Sequence, residues 1–302
     1  MRRQGLSSGP LACCLLMRVL ALCMQPTFLS TSLALWQSLT PYYSGSVGVG
    51  WLERGGVKAI ANIRGGGEYG PRWHQAALRE KRHRAYEDFE AVGRDLIARG
   101  VCTPSRLGCI GGSNGGLLVG NMLTREGRSL FGAAVCQVPL LDMRRYHKLL
   151  AGASWMEEYG DPDAEGVWQG HLRSISPYHR IRGPECLATC TRTPAATETT
   201  WGGVPRVLFT TSTKDDRVHP GHARKMVKTL LDEVPSAKGG GYQNVFYWEN
   251  IEGALCPASR RPTQSSVHSV PARVSARIAA AWCSQVGTAV LQTTDNALSC
   301  GH

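Results

Sequence analysis

An α/β fold built on a mostly parallel sheet is predicted by three features of the sequence. Short apolar runs of strand type alternate with segments of helical period. One run opens into Gly111-Gly112-Ser113-Asn114-Gly115-Gly116 and then straight into an apolar helix, a strand–turn–helix junction with serine at the turn. Another opens onto Asp215 and Asp216, and parallel sheets place their chemistry just beyond strand C-terminal ends.

Taken in order, residues 57–63 (VKAIANI) form the first clear strand. Arg64-Gly65-Gly66-Gly67-Glu68-Tyr69-Gly70 follows, too glycine-rich for the interior of a helix or strand. Tyr86, Phe89, Val92, Leu96 and Ile97 then fall on one helical face, with Asp95 and Arg99 at i, i+4 and Gly100 as the stop. This helix leads into the strand at residues 107–110 (LGCI), completing a right-handed βαβ unit. After the helix that begins at Leu117, residues 133–141 (AAVCQVPLL) supply another buried-type strand. Residues 142–184 are loop-rich and hold Trp155, Tyr159 and Trp168. Residues 206–211 (RVLFTT) form the next strand, which opens onto Asp215-Asp216-Arg217-Val218-His219-Pro220. Pro220 is placed to start a helix with Met226, Leu230 and Leu231 on its inner side, and residues 244–248 (NVFYW) are the last clear strand.

The 302 residues, 42% of them hydrophobic, suffice for one large domain or two small ones. The formal charge of +11 is scattered, and no basic patch interleaved with aromatics appears, which excludes a nucleic-acid partner. The 11 cysteines are odd in number and lack C-x-x-C pairs, so they read as free thiols in a reducing compartment rather than a disulfide framework or metal site. No cofactor and no metal are expected, the oligomeric state is open, and the expected compartment is the cytoplasm. Residues 1–40 contain Arg2, Arg3 and Arg18 but no acid, since the first acidic residue is Glu53. That composition suits organelle targeting or a non-homologous leader. Neither of its apolar patches approaches the ~20 residues of a bilayer span, so no membrane is expected.

Gly111-Gly112-Ser113-Asn114-Gly115 is the G-x-S-x-G pattern of a nucleophile elbow. A chain that turns sharply from strand to helix forces strained dihedrals on the turning residue, and only small neighbours leave room for that backbone. The serine hydroxyl is then held at a helix N-terminus, where backbone N–H groups can stabilise a developing oxyanion. The bland alternative is a glycine-rich βα turn that happens to contain serine.

Four stretches decide between these. ANIRGGGEYGPRWH (residues 61–74), GGSNGG (111–116), LFGAAVCQVPLLDMRRYHKLLAGASWMEEYGD (130–161) and TSTKDDRVHPGHARKM (211–226) together resemble the catalytic domain of the prolyl oligopeptidase family of serine peptidases. The resemblance covers residues 40–253. It implies an α/β-hydrolase fold, a Ser-Asp-His triad in that chain order, short peptide substrates often cleaved after proline, and a β-propeller covering the active site. Carried over residue by residue, it makes Ser113 the nucleophile and the backbone N–H of Asn114 an oxyanion donor. Asp215 becomes the triad aspartate, Arg217 the substrate-binding arginine, and Trp155 the tryptophan that packs on a proline ring. The bland readings are a helix N-cap for Asp215 and a core aromatic for Trp155.

The departures from the family are equally specific. The triad histidine is expected shortly after Glu249-Asn250-Ile251-Glu252-Gly253, but the chain continues Ala254-Leu255-Cys256-Pro257. The histidines that follow are His268 and His302, and His219 and His222 are expected to point away from the nucleophile. His268 serves as a base only if the tail folds back over the elbow, with residues 272–282 as its one candidate helix. No Tyr-Gly-Gly-Phe type segment, whose tyrosine completes the family's oxyanion hole, occurs in residues 27–39. Residues 182–203 read as an insertion, and no propeller fits before residue 40. The expected organisation is a leader over residues 1–40, a catalytic domain over 41–253 and a divergent tail over 254–302, with the joints read as misjoined or intron-derived segments. The function expected is a serine peptidase, inactive as written if nothing replaces the histidine. The alternatives are a non-catalytic α/β-hydrolase-fold binding protein and a serine esterase.

Overall fold

A computed structural model of the chain describes residues 27–31, 45–126, 129–182, 204–233 and 244–251. The expectations for the insertion, the divergent tail with His268 and His302, and most of the leader lie outside these residues. The chain divides into two compact units, one of residues 1–42 and 55–254 and the other of residues 43–54 and 255–302. Of the second, the described part is a helical turn at Gly45–Val47 running into a π-helical turn at Gly48–Leu52, closed by the Glu53 N–H donating to the Gly48 carbonyl at 2.9 Å.

The first unit is organised on six strands: β1 (Thr27–Thr31), β2 (Val57–Ala61), β3 (Leu107–Gly112), β4 (Ala133–Gln137), β5 (Arg206–Ser212) and β6 (Val245–Asn250). They lie in the order β2-β1-β3-β4-β5-β6, and every neighbouring pair is parallel. Three long helices make the crossovers: α1 (His83–Ala98) from β2 to β3, α2 (Asn114–Arg125) from β3 to β4, and α3 (Gly221–Glu233) from β5 to β6. This is the α/β-hydrolase architecture, a parallel sheet flanked by helices. The chain steps outward from β1 to β2, returns to β3 on the other side of β1, and then advances one strand at a time. The sheet therefore reverses its winding between β1 and β3, and the crevice outside the strand ends at such a point is where parallel sheets bind ligands.

The strand β1 lies within the residues assigned to the leader. Its backbone pairs on both sides, Thr27 standing opposite Val57 and opposite Leu107. In the middle of the sheet β4 stops at Gln137, short of the run to residue 141. Val138 takes φ 37°, and Pro139 has no N–H to give a ladder.

In β5 every residue from Val207 to Ser212 is buried, without alternation between faces, as expected for a covered parallel strand. In α1, Tyr86 and Phe89 are fully buried, and Val92, Leu96 and Ile97 pack at the core's edge, while the Phe89 ring stacks on Phe131 at 5.9 Å between centroids. The anticipated Asp95–Arg99 pair forms on the outer face at 2.8 Å. In α3, Met226 and Leu230 are buried but Leu231 is 44% exposed. One residue is 100° of helix, so a neighbour of an inner position rotates toward solvent. No helix among the described residues is long and apolar enough to cross a membrane.

Candidate active site

The site begins where β3 ends. Ser113 has φ 56° and ψ −114° and turns the chain from β3 directly into α2. Left-handed φ on a serine is unfavourable, and it persists because the surroundings leave no alternative. The Ser113 N–H donates to the Gln137 carbonyl at 2.9 Å, and its carbonyl accepts the Leu117 N–H at 3.1 Å. A Cβ on Gly111 would stand 2.3 Å from the Gly115 carbonyl oxygen, and one on Gly116 would stand 2.8 Å from the Gln137 oxygen. The glycines are therefore required by contact between helix start and strand. Ser113 is half-buried and precedes Asn114, the first residue of α2. First-turn N–H groups have no carbonyl partner within a helix, and the macrodipole adds partial positive charge, so this end favours an anion.

Two strands away, β5 delivers Asp215. The pairing runs Gly112 to Gln137 to Thr210, which sets the ends of β3 and β5 about 10 Å apart at the usual strand spacing. Asp215 is 7% exposed, and its Oδ1 accepts the Arg217 and Val218 N–H groups, each at 2.9 Å. Since α3 starts only at Gly221, the carboxylate caps this turn and is not the N-cap of the helix. Arg217 is exposed, and its carbonyl accepts the Ala151 N–H at 3.3 Å. Ala151 belongs to the 3-10 helix Leu150–Trp155, so this bond ties the aspartate turn to the segment carrying Trp155. Trp155 is half-buried and rests against the core cluster.

A third link joins the Trp155 segment to the elbow through residues that no motif or periodicity selects. Arg82 lies at the start of α1 with its side chain 1% exposed. Its Nη1 donates to Glu158 Oε1 at 2.7 Å, and its Nη2 donates to Asn114 Oδ1. The Asn114 Nδ2 donates in turn to Glu158 Oε1 at 2.7 Å, closing a triangle. Burial disfavours the guanidinium charge, but Tyr159 and Glu158 outweigh it and hold the Arg82 pKa above its ordinary value. Glu158 belongs to the short helix Met156–Tyr159 that directly follows Trp155. Read as sequence, Arg82 sits in the charged run REKRHR, which looks like a solvated face; its burial is a tertiary fact.

The described histidines are held elsewhere. His222 is 1% exposed, and its Nδ1 accepts the N–H groups of Asp142 at 3.1 Å and Leu141 at 3.3 Å. Burial holds its pKa down to about 4. The His219 Nδ1 accepts the Gly221 N–H at 3.0 Å. Among the described residues no histidine hydrogen-bonds Asp215. Beside His222, the buried Asp142 pairs with Lys225; burial opposes its ionisation, but that ammonium prevails and lowers its pKa. Among the described residues, His147, Asp161 and Asp163 bring metal-type ligand atoms within 4.8 Å of one another. There Lys148 Nζ, 2.7 Å from Asp163, already competes for its carboxylate.

The profile of the prolyl oligopeptidase family matches residues 43–246. An uncharacterised peptidase of Sinorhizobium fredii is 46% identical over 223 residues, which are 73% of this chain and 27% of that protein. A prolyl endopeptidase of Elizabethkingia miricola is 37% identical over 188 residues, covering 62% of this chain and 24% of the relative. Among solved structures, a post-proline cleaving enzyme from Rickettsia typhi superposes with a TM-score of 0.62 at 35% identity, over 76% of this chain and 30% of that one. The chain spans about a quarter of the length of these curated relatives. With the family's profile matched over most of its length and a parallel sheet that superposes on that enzyme, the chain belongs to the prolyl oligopeptidase family.

Proposed function

We propose that the chain carries the catalytic domain of a serine peptidase, over residues 41–253, acting on short peptides at proline. Ser113 attacks the scissile carbonyl, and the Asn114 N–H stabilises the oxyanion. Asp215 orients a histidine base and balances its imidazolium. Arg217 grips a substrate carbonyl or carboxylate through its guanidinium fork, and Trp155 offers its face to the proline ring. The observation that carries the reading is the left-handed Ser113 between glycines whose replacement is sterically blocked. A strained serine held at a helix N-terminus has no structural purpose that an unstrained turn would not serve better. A cytoplasmic setting belongs to the same proposal and is supported by the buried free thiols of Cys109 and Cys136.

One observation favours a second reading, a hydrolase-fold protein that binds peptides without cleaving them. A triad histidine donates its Nδ1–H to the aspartate and keeps Nε2 free to take the serine proton. His219 and His222 use Nδ1 as an acceptor, the opposite tautomer. The base then comes from outside the described residues, His268 or His302, or it is lacking.

Turnover of an acyl-prolyl amide set against a simple ester separates the readings. The peptidase reading expects amide hydrolysis that drops at least about a thousandfold in Ser113→Ala. Ester turnover alone would assign an esterase, and no Ser113-dependent turnover of either by folded protein would assign the binding role.

A further inference from the structure

We propose that Arg82 and Glu158 are positioning residues for the oxyanion site, holding the Asn114 backbone N–H in register with Ser113; the inference rests on the peptidase reading above. The Asn114 carboxamide is fixed at both ends, its oxygen on Arg82 and its nitrogen on Glu158 at 2.7 Å. Two opposite contacts determine the carboxamide's orientation, and through it the rotation of the first residue of α2 about the elbow. The peptide that carries the Asn114 N–H is held at its carbonyl by the Leu117 N–H at 3.1 Å, and the carboxamide contacts hold the same residue through its side chain. The fork geometry of arginine is what lets one side chain meet both partners.

Arg82 is itself immobilised. Its Nη1 reaches the Ala77 carbonyl at 3.5 Å as well as Glu158, and its guanidinium carbon lies 5.2 Å from the centre of the Tyr159 ring. Glu158 stands three residues beyond Trp155, so the same carboxylate that orients Asn114 fixes the end of the segment carrying the proposed proline platform. The triangle thus links where the oxyanion is held to where the proline ring is held. A donor misplaced by 1 Å forfeits most of its effect on a developing charge.

The test uses the full chain labelled with 15N only at asparagine. The six asparagines give six backbone amide signals and six carboxamide pairs, and Asn114→Asp identifies those of Asn114. Two variants are compared: Arg82→Lys, which keeps the charge and loses the fork, and Glu158→Gln, which keeps the shape and loses the charge. The expected result is a shift of the Asn114 backbone amide in both, with the amide of Asn121 unmoved, since its carboxamide is held separately by the Leu117 and Ile175 carbonyls. Covalent labelling of Ser113 by a serine-directed phosphonate is expected to slow about a hundredfold in the same variants.

An unmoved Asn114 amide overturns the proposal, as do shifts spread equally to Asn121, which would mark a packing role alone. A shifted Asn114 amide with labelling at the unchanged rate overturns it too. If Arg82→Lys fails to fold, Glu158→Gln decides. Absence of labelling in the unsubstituted chain counts against the peptidase reading, and the amide spectra still decide whether the triangle places Asn114.

Discussion

At Ser113 one residue absorbs the whole turn between strand and helix, and its neighbours are chosen for absence of bulk. The spacing of glycine and serine makes that legible in the sequence, because φ restrictions act locally. Arg82 and Glu158 obey no local rule, and neither periodicity nor composition marks a buried arginine inside a basic run. His222 is a similar case with a measurable consequence. Its ring faces Asp142, Lys225 and His219, and burial holds its folded pKa near 4 against 6.5 for an ordinary imidazole. Between these values the unfolded chain takes up a proton that the folded chain refuses, so stability falls as pH drops through that window. The contribution lost is about 3 kcal/mol. Urea unfolding of the parent chain and of His222→Gln at pH 7 and pH 4.5 checks this: the parent should lose more stability, and equal losses would refute the assignment.

At the scale of elements, the elbow works because α2 touches β4 at backbone distance. A methyl group on Gly116 meets the Gln137 oxygen and Pro139 Cα, both at 2.8 Å and both backbone. Gly116→Ala should cost about 2 kcal/mol, read as a lower urea midpoint at unchanged m-value. Gly170→Ala, where a Cβ meets nothing within 4 Å, should be near neutral. A midpoint for Gly116→Ala matching that of Gly170→Ala would show that the helix is not pressed against the strand. The strands from β2 to β6 were legible as apolar runs, and α1 from its period. Their ends were less so: β4 stops where Val138 turns left-handed, and Leu231 rotates outward one step past an inner position. The strand β1 escaped because TFLST carries a weak local signal and gains its strand character from pairing with both β2 and β3.

At the scale of the molecule, the winding of the sheet gathers chemistry at one edge. Reversal between β1 and β3 places the elbow at the switch point, and advancing one strand at a time to β5 brings the aspartate turn two strands away. The helical segment from Leu150 to Tyr159 bridges them, bonded to the aspartate turn through Ala151 and to the elbow through Glu158. Order of motifs along the chain foretold this edge, whereas the bonds that lock it depend on residues far apart in sequence. We propose that this edge makes Ser113 a nucleophile. Reaction of the full chain with a serine-directed phosphonate, followed by peptide mapping, tests it most directly. One phosphonyl group is expected, located on Ser113 and absent from Ser113→Ala. A folded chain that takes up no label, or takes it up equally in Ser113→Ala, would contradict it.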